Sequence, residues 1–441
     1  MTLMKSLLLG SAATLVVVAG AQAADLPTKK GAPAAEYVKV CKVGDIAGFI
    51  IPGSDTCLKI SGYITGQLAM GNVSDEYKSG AHTLYSDAKY VSDFGFSTRG
   101  QVNFDAVTNT AMGPLLGHIE VQMNSGQGNG FDVLGGPALN SGYVQWAGIT
   151  AGKHGSFYDY LAGGDTWKDF LSPDHSGTPV NLLAYTASFG GGFSATISLE
   201  QPENVVPLDY SYLEGTVLGA RAPDIIAALD VTQSWGGAHL AGVAHNVRVE
   251  NSISSVTTDL DTWGYGVIGG VTFNLPMLSA GSKLALQGAY THGAIGYSGA
   301  TDPAWGEHDQ GFNTNGNGTL FPMADAIFLN NGSWALSNAW SLAAQLTWKV
   351  SPNFEIDPEV AFANVDYGSS AESAWTNFSQ KADAWWVGAV FDWSPVKNLD
   401  FAFDAIYEAS HQSTPNNWVG VAGYQNNTDG FNGRLRITRS F

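Results

Sequence analysis

Past its first two dozen residues this sequence has no apolar run of about 18 residues, the length a helix needs to span a bilayer, which excludes a bundle of membrane helices. Charge is sparse as well. Asp, Glu, Lys and Arg make up 13% of the 441 residues, about half the usual share in soluble domains. With a mean hydropathy near zero, such a chain is neither a disordered acidic polymer nor a set of membrane helices. Bases are the scarcer sign, 20 against 39 acids, and no nucleic-acid partner is expected. Motifs that carry chemistry are missing too. There is no His pair at zinc spacing, no Gly-rich phosphate loop between strand and helix, and no Gly-x-Ser-x-Gly elbow. The expectation is a non-enzyme with no catalytic residue, cofactor or metal.

What the chain does contain begins with an export signal. Lys5 precedes an uncharged apolar run, Leu7 to Ala19, and Ala21-Gln22-Ala23 supplies small residues where a signal peptidase cuts. Asp25, Pro27, Lys29, Lys30 and Pro33 follow at once and suit a flexible tail, not a core helix. Residues 1–23 therefore read as a signal peptide, 24–56 as a periplasmic N-terminal segment, and 57–441 as a transmembrane domain. In an exported chain its two cysteines, Cys41 and Cys57, read as a disulfide worth about 3 kcal/mol. A metal site there would need more ligands than Asp45 and Asp55. A membrane domain without spanning helices must close a β-barrel, because backbone polar groups cannot stay unpaired in lipid.

Glycine (54 residues) and aromatics (12%) favour that reading, and so does the pattern along the chain. A barrel strand alternates a lipid-facing apolar residue with a lumen-facing polar one over about ten residues. Leu58, Ile60, Gly62, Ile64, Gly66 and Leu68 oppose Lys59, Ser61, Tyr63, Thr65 and Gln67. Near the C-terminus Phe431, Gly433, Leu435, Ile437 and Phe441 oppose Asn432, Arg434, Arg436, Thr438 and Ser440. Arg439 breaks the outer row close enough to the end to snorkel to the interface. The alternation recurs around Leu286, Leu346 and Phe403. Short turns at Gly190-Gly191-Gly192, Gly236-Gly237, Ser351-Pro352-Asn353 and Ser394-Pro395-Val396-Lys397 alternate with long polar stretches, the longest at about 294–335. Counting from Cys57 to Phe441 gives sixteen strands, with Tyr143–Trp146 and Ile149–His154 as two short ones around Ala147-Gly148. The expected fold is all-β, a 16-stranded antiparallel transmembrane β-barrel wide enough to hold water.

Several stretches resemble a known family. Glu36-Tyr37-Val38-Lys39-Val40-Cys41 and Ile51-Pro52-Gly53-Ser54-Asp55-Thr56-Cys57-Leu58-Lys59-Ile60-Ser61-Gly62-Tyr63 resemble the start of mature alphaproteobacterial porins. Phe104-Asp105-Ala106, Tyr143-Val144-Gln145-Trp146-Ala147-Gly148 and the terminal Phe441 continue the resemblance in order, and it is strongest in the N-terminal third. It implies a trimeric general diffusion porin of the bacterial outer membrane, set in lipid and lipopolysaccharide and passing small hydrophilic solutes and ions. Phe441 resembles the signal read by the barrel-assembly machinery.

In such porins the third loop folds inward and narrows the pore. Here 155–180 falls at that place, mixing Phe157, Tyr158, Tyr160, Trp167 and Phe170 with Asp159, Asp165, Asp169 and Asp174. Acids in a confined space favour cations, so Tyr158, Trp167 and those four aspartates are the expected constriction. Arg99, Lys153, Asp105 and Glu120 are expected on the pore wall. Relatives carry several arginines there; Val107 and Leu116 stand at places that are often basic, so the cationic wall is thinned. His118 and His154 read as solvated lumen residues. Strand parity points Asp105, Glu120, Glu200, Asp230, Glu355, Asp357, Glu359, Asp400 and Asp404 inward. It does the same for Lys59, Arg99, Arg248, Lys283, Lys349, Arg434 and Arg436, which nearly cancels them. Most of the net charge, −19 and one unit lower once Lys5 leaves with the signal, then lies in loops as a negative vestibule. A mild cation preference follows, with sugar-selective uptake as the alternative because rings can stack on sugars.

Overall fold

The computed structural model describes residues 39–71, 94–127, 134–161, 179–202, 215–253, 256–299, 324–329, 332–368, 381–413 and 427–441. The proposed signal peptide lies outside them. In chain order the strands are β1 (Val40–Val43), β2 (Ile46–Ile50), β3 (Cys57–Gly71), β4 (Phe94–Thr110), β5 (Gly113–Gln127), β6 (Leu134–Trp146) and β7 (Ile149–His154). There follow β8 (Val180–Gly190), β9 (Phe193–Glu200), β10 (Gly215–Val217), β11 (Asp224–Gln233), β12 (Gly236–Ile253), β13 (Val256–Asn274) and β14 (Lys283–His292). The last are β15 (Ala326–Phe328), β16 (Trp334–Leu336), β17 (Asn338–Ser351), β18 (Phe354–Asp366), β19 (Lys381–Val396), β20 (Leu399–Gln412) and β21 (Asn427–Ser440).

Sixteen of these, β3–β9, β11–β14 and β17–β21, form one closed antiparallel barrel, because β21 returns to pair with β3. Leu435 stands opposite Leu68 and Arg436 opposite Gln67 at that seam. Phe441 closes it, its N–H donating to the Gly62 carbonyl at 2.9 Å while Gly62 N–H donates back at 3.2 Å. Residue 62 has to be glycine, since a Cβ there would stand 2.2 Å from the Gln101 carbonyl oxygen. Outside the wall, β2 continues onto β3, β10 flanks β12, and β15 pairs with β16 alone.

Alternation explains the wall. Ile60, Ile64, Leu435 and Ile437 face out and are exposed, while Thr65 and Arg434 face in and are buried. Outward aromatics fall in two girdles: Tyr265, Trp340 and Trp385 in one, Phe273, Trp348 and Trp393 in the other. Members of a pair are eight residues apart, which on a tilted strand is about 20 Å of height, close to the ~25 Å apolar band of such barrels. Arg439 lies at the lower girdle and donates to the carbonyls of Asn398 and Ser440.

Two turns differ from expectation. Gly236-Gly237 opens β12, in register with Gln233 and Thr232, and the turn is Ser234-Trp235. Ser394 to Val396 stay in β19, so the turn is Lys397-Asn398, with Asn398 at φ 63°. Ala147-Gly148 makes the expected two-residue turn between β6 and β7. Both residues have positive φ (52° and 87°), the geometry that matches strand twist in a tight hairpin.

The stretch at about 294–335, read as a polar external loop, differs more. Its described ends are apolar and buried: Ala294, Ile295, Tyr297, Ala324, Ile327, Leu329 and Ala335. They pack on inward-facing residues of the wall such as Ala339, Ala363, Val365, Ala382 and Ala384. Those strands are apolar on both faces, and a strand buried on both faces needs cover on both.

Candidate pore lining

On β3–β6 the inward rows are polar beyond the level of Cys57, Val107 and Leu116 and form a hydrogen-bonded net. Arg99 Nε donates to Asn124 Oδ1 at 2.9 Å, and Gln122 Nε2 to Gln101 Oε1 at 2.7 Å. Gln101 Nε2 donates to Asn103 Oδ1 at 3.0 Å, and Asn140 Nδ2 to Glu120 Oε1 at 2.5 Å. Asp105 Oδ1 lies 2.6 Å from His118 Nδ1. His118 stacks on Tyr143 (centroids 4.8 Å apart), Tyr143 meets His154 edge-on at 4.5 Å, and His154 stacks on Phe157 at 5.5 Å. Arg99 and Asp105 of β4 and Glu120 of β5 thus lie on neighbouring strands within one hydrogen-bonded net. The ring ladder beside them was invisible in the sequence, because it joins β5 to β6 (His118 opposite Tyr143) and then to the end of β7 and the residue Phe157 beyond it.

Lys153 is not part of that wall. It falls in register with Gly142 and Asn181, on the face that carries exposed Val144 and Leu183. Its Nζ donates to the Leu139 carbonyl at 3.1 Å, outside the lumen. Arg248 also moves outward, onto the row of exposed Leu240, with its Nε 3.3 Å from Asp261 Oδ2. Arg221 holds the same carboxylate at 2.5 Å. Val107 and Leu116, the apolar replacements in the basic wall, have a structural use. With Cys57 they form an inward row that seats Cys41, Val43 and Ile46 of the N-terminal hairpin. The Cys41–Cys57 disulfide ties that hairpin to the first wall strand.

Residues 155–161 leave β7 and run against the inner face of β11–β14. Glu200 accepts from Ser156 Oγ at 2.7 Å and from Phe157 N–H at 3.1 Å. Tyr158 is fully buried among Ile226, Val243, Ile268 and Ala289. The Tyr160 hydroxyl donates to Thr272 Oγ1 at 2.8 Å, its ring stacks on His239 at 5.5 Å, and Leu161 N–H donates to Gln287 Oε1 at 2.7 Å. Both tyrosines sit over glycines of β13. A Cβ on Gly270 would stand 2.1 Å from the Tyr160 ring, and one on Gly266 would stand 3.1 Å from the Tyr158 hydroxyl. Asp159 is half-buried between them. Asp165, Trp167, Asp169 and Asp174 lie outside the described residues.

A second buried net joins the β14–β17 connection to the wall. Tyr297 O–H donates to Asp224 Oδ2 at 2.5 Å, and Asp224 lies 2.9 Å from His245 Nδ1. His245 Nε2 lies 3.5 Å from Asp325, which accepts from Ile295 N–H at 2.7 Å. Ser341 Oγ donates to the Ser298 carbonyl at 2.6 Å. Burial pushes the hydroxyl pKa of Tyr158 and Tyr297 well above the ordinary value, with Asp159 adding to the first and Asp224 to the second. Asp224 and Asp325 were missed in the sequence because each lies at an element boundary, where parity says little.

A polar wall inside a closed sixteen-stranded barrel is a channel architecture, and sequence comparison agrees. A family model described as "Porin subfamily" matches residues 25–433. The chain belongs to this porin family. Similar curated proteins are Porin Omp2a of Brucella ovis, 29% identical over 388 residues (81% of this chain, 97% of the relative), and Porin Omp2b of Brucella canis. The latter is 28% identical over 401 residues, covering 86% of this chain and 96% of the relative. Among solved structures the outer membrane channel DcaP of Acinetobacter baumannii shares the fold, with a TM-score of 0.63 at 17% identity over 90% of this chain and all of that one. The OmpF of Salmonella typhi, solved in complex with daunomycin, has a TM-score of 0.51 at 12% identity, covering 89% of this chain and 99% of that one. This porin is a channel of the bacterial outer membrane, in a family it shares with alphaproteobacterial porins.

Proposed function

We propose that the porin is a passive, water-filled diffusion channel for small hydrophilic solutes and ions, mildly cation-preferring, whose third loop folds inward as the constriction. The observation that carries this reading is the seating of Tyr158 and Tyr160 on the inner face of β11–β14, over Gly266 and Gly270. It supports a loop directed into the lumen, with Asp159, Asp165, Asp169 and Asp174 bringing negative charge to the narrow part. The outward position of Arg248 supports the cation lean further, because nine inward acids then stand against six inward bases. Neutralising Asp159, Asp165 and Asp169 together lowers the cation-to-anion permeability ratio in a planar bilayer under a salt gradient. An unchanged ratio would place the filter elsewhere.

A second reading, sugar-selective uptake, draws on the ladder His118–Tyr143–His154–Phe157, whose rings offer stacking surface along the wall. Sugar-induced block of single-channel current separates it from simple diffusion. Trimeric assembly, contact with lipid and lipopolysaccharide, and Phe441 as the signal to the assembly machinery complete the proposal. Residues 1–23 are its signal peptide and 24–56 its periplasmic segment.

A further inference from the structure

The inner wall of this barrel has two different halves. On β3–β6 Ser61, Arg99, Asn103, Asp105, Glu120 and Asn124 point inward and are polar and half-buried, beside Thr65, Gln101, Gln122 and Ser141, which are polar and buried, and beyond the apolar row of Cys57, Val107 and Leu116. On β17–β20 the inward residues of the external half are small and apolar and are covered, with Ala339, Ala363 and Ala382 fully buried and Ala384 at 2% exposure. The cover is the β14–β17 connection, through Ile295, Ala324, Ile327, Leu329 and Ala335. Val247 and Val249 of β12 are covered in the same way by Ala326 of β15. Polar anchors fix the cover: Tyr297 on Asp224, Ser341 on the Ser298 carbonyl, and Ala324 N–H donating to the Tyr367 hydroxyl at 3.0 Å. A wall whose side chains have lost contact with water cannot line an aqueous path.

We propose that the described parts of the β14–β17 connection, 294–299, 324–329 and 332–337, form an inward element that covers one side of the external half of the lumen, confining solute to the face of β3–β6. Arg99, Asp105, Glu120 and Asn124 then become selectivity residues in their own right, independent of the third loop. The net they form fixes their positions, so a passing ion meets a preorganised row along one wall, the Arg99 guanidinium at one level and Asp105 and Glu120 at the next. The inference rests on the channel function that the family establishes. It does not depend on the cation preference or on the third-loop constriction proposed above.

Thiol labelling tests it. The chain's two cysteines are joined to each other, so a single introduced cysteine is a unique target. Ser61→Cys places a near-isosteric thiol on the polar face, and Ala384→Cys places one on the covered face. Each variant, checked for folding by heat-modifiable gel mobility, is inserted in a planar bilayer and exposed to a cationic methanethiosulfonate reagent. The expected result is stepwise loss of conductance and a shift of the reversal potential towards anions for Ser61→Cys, with no change for Ala384→Cys. Ala363→Cys, unreactive for the same reason, is the second covered position should Ala384→Cys fail to fold. Equal reactivity at Ser61→Cys and a covered position, or no reaction at Ser61→Cys, would overturn the proposal.

Discussion

Gly270 and Tyr160 illustrate how a single residue seats the segment that follows β7. The ring lies where a side chain on residue 270 would stand, at 2.1 Å from an added Cβ, so any larger residue must displace it. Gly270→Leu is expected to lower stability by about 1–3 kcal/mol through overpacking and to raise single-channel conductance as residues 155–161 loosen. Bilayer recordings and the heat-modified gel shift check both. The buried hydroxyls of Tyr158 and Tyr297 give a pH prediction. Their folded pKa values lie above the ordinary ~10. Their packing therefore contributes fully below pH ~10 and is lost as pH rises through the raised values. The denaturation midpoint should be insensitive to these groups up to pH ~10 and should fall above it, less steeply in Tyr297→Phe. Outward and inward residues such as Ile60 and Thr65 were legible in the sequence because a period of two survives any error in strand ends. Lys153 was not, since six residues that include Gly152 carry too few apolar side chains to fix which face looks out.

At the level of elements, the N-terminal hairpin shows a disulfide joined to a purpose. Cys41, Val43 and Ile46 rest on Val107 and Leu116, so the apolar gap in the basic wall is the hairpin's seat. Reducing the Cys41–Cys57 bond, or Cys41→Ser, removes about 3 kcal/mol from that segment while leaving sixteen strands paired. Limited proteolysis should then cut within 40–50 with the barrel still resistant to heat on gels; a barrel that unfolds with the hairpin would contradict this. The pairing of Cys41 with Cys57 could be read from an exported sequence holding two cysteines. That Val107 and Leu116 receive them could not, because the contact joins strands far apart in the chain. The β14–β17 connection was misread for a related reason. Its Gly, Asn and Asp content resembles an external loop, and the apolar residues at its two ends become informative only beside the apolar inner faces of β17–β20.

For the molecule as a whole, closure and charge decide function. Alternation, loop asymmetry and even strand number, all visible in the sequence, required a barrel, and the β21–β3 seam completes it. Charge was less legible. Near-cancellation of inward acids and bases depended on Arg248, which the register of β12 turns outward beside Asp261 and Arg221. With Arg248 outward, nine inward acids stand against six inward bases, one charge further to the acidic side than strand parity alone indicated. The most direct measurement is the reversal potential of single channels of the purified, refolded protein across a planar bilayer in a potassium chloride gradient. The account predicts discrete ohmic conductance steps with a reversal potential of cation-selective sign, larger at low salt where screening is weakest. A reversal potential of anion-selective sign, or no conductance from correctly folded protein, would contradict it.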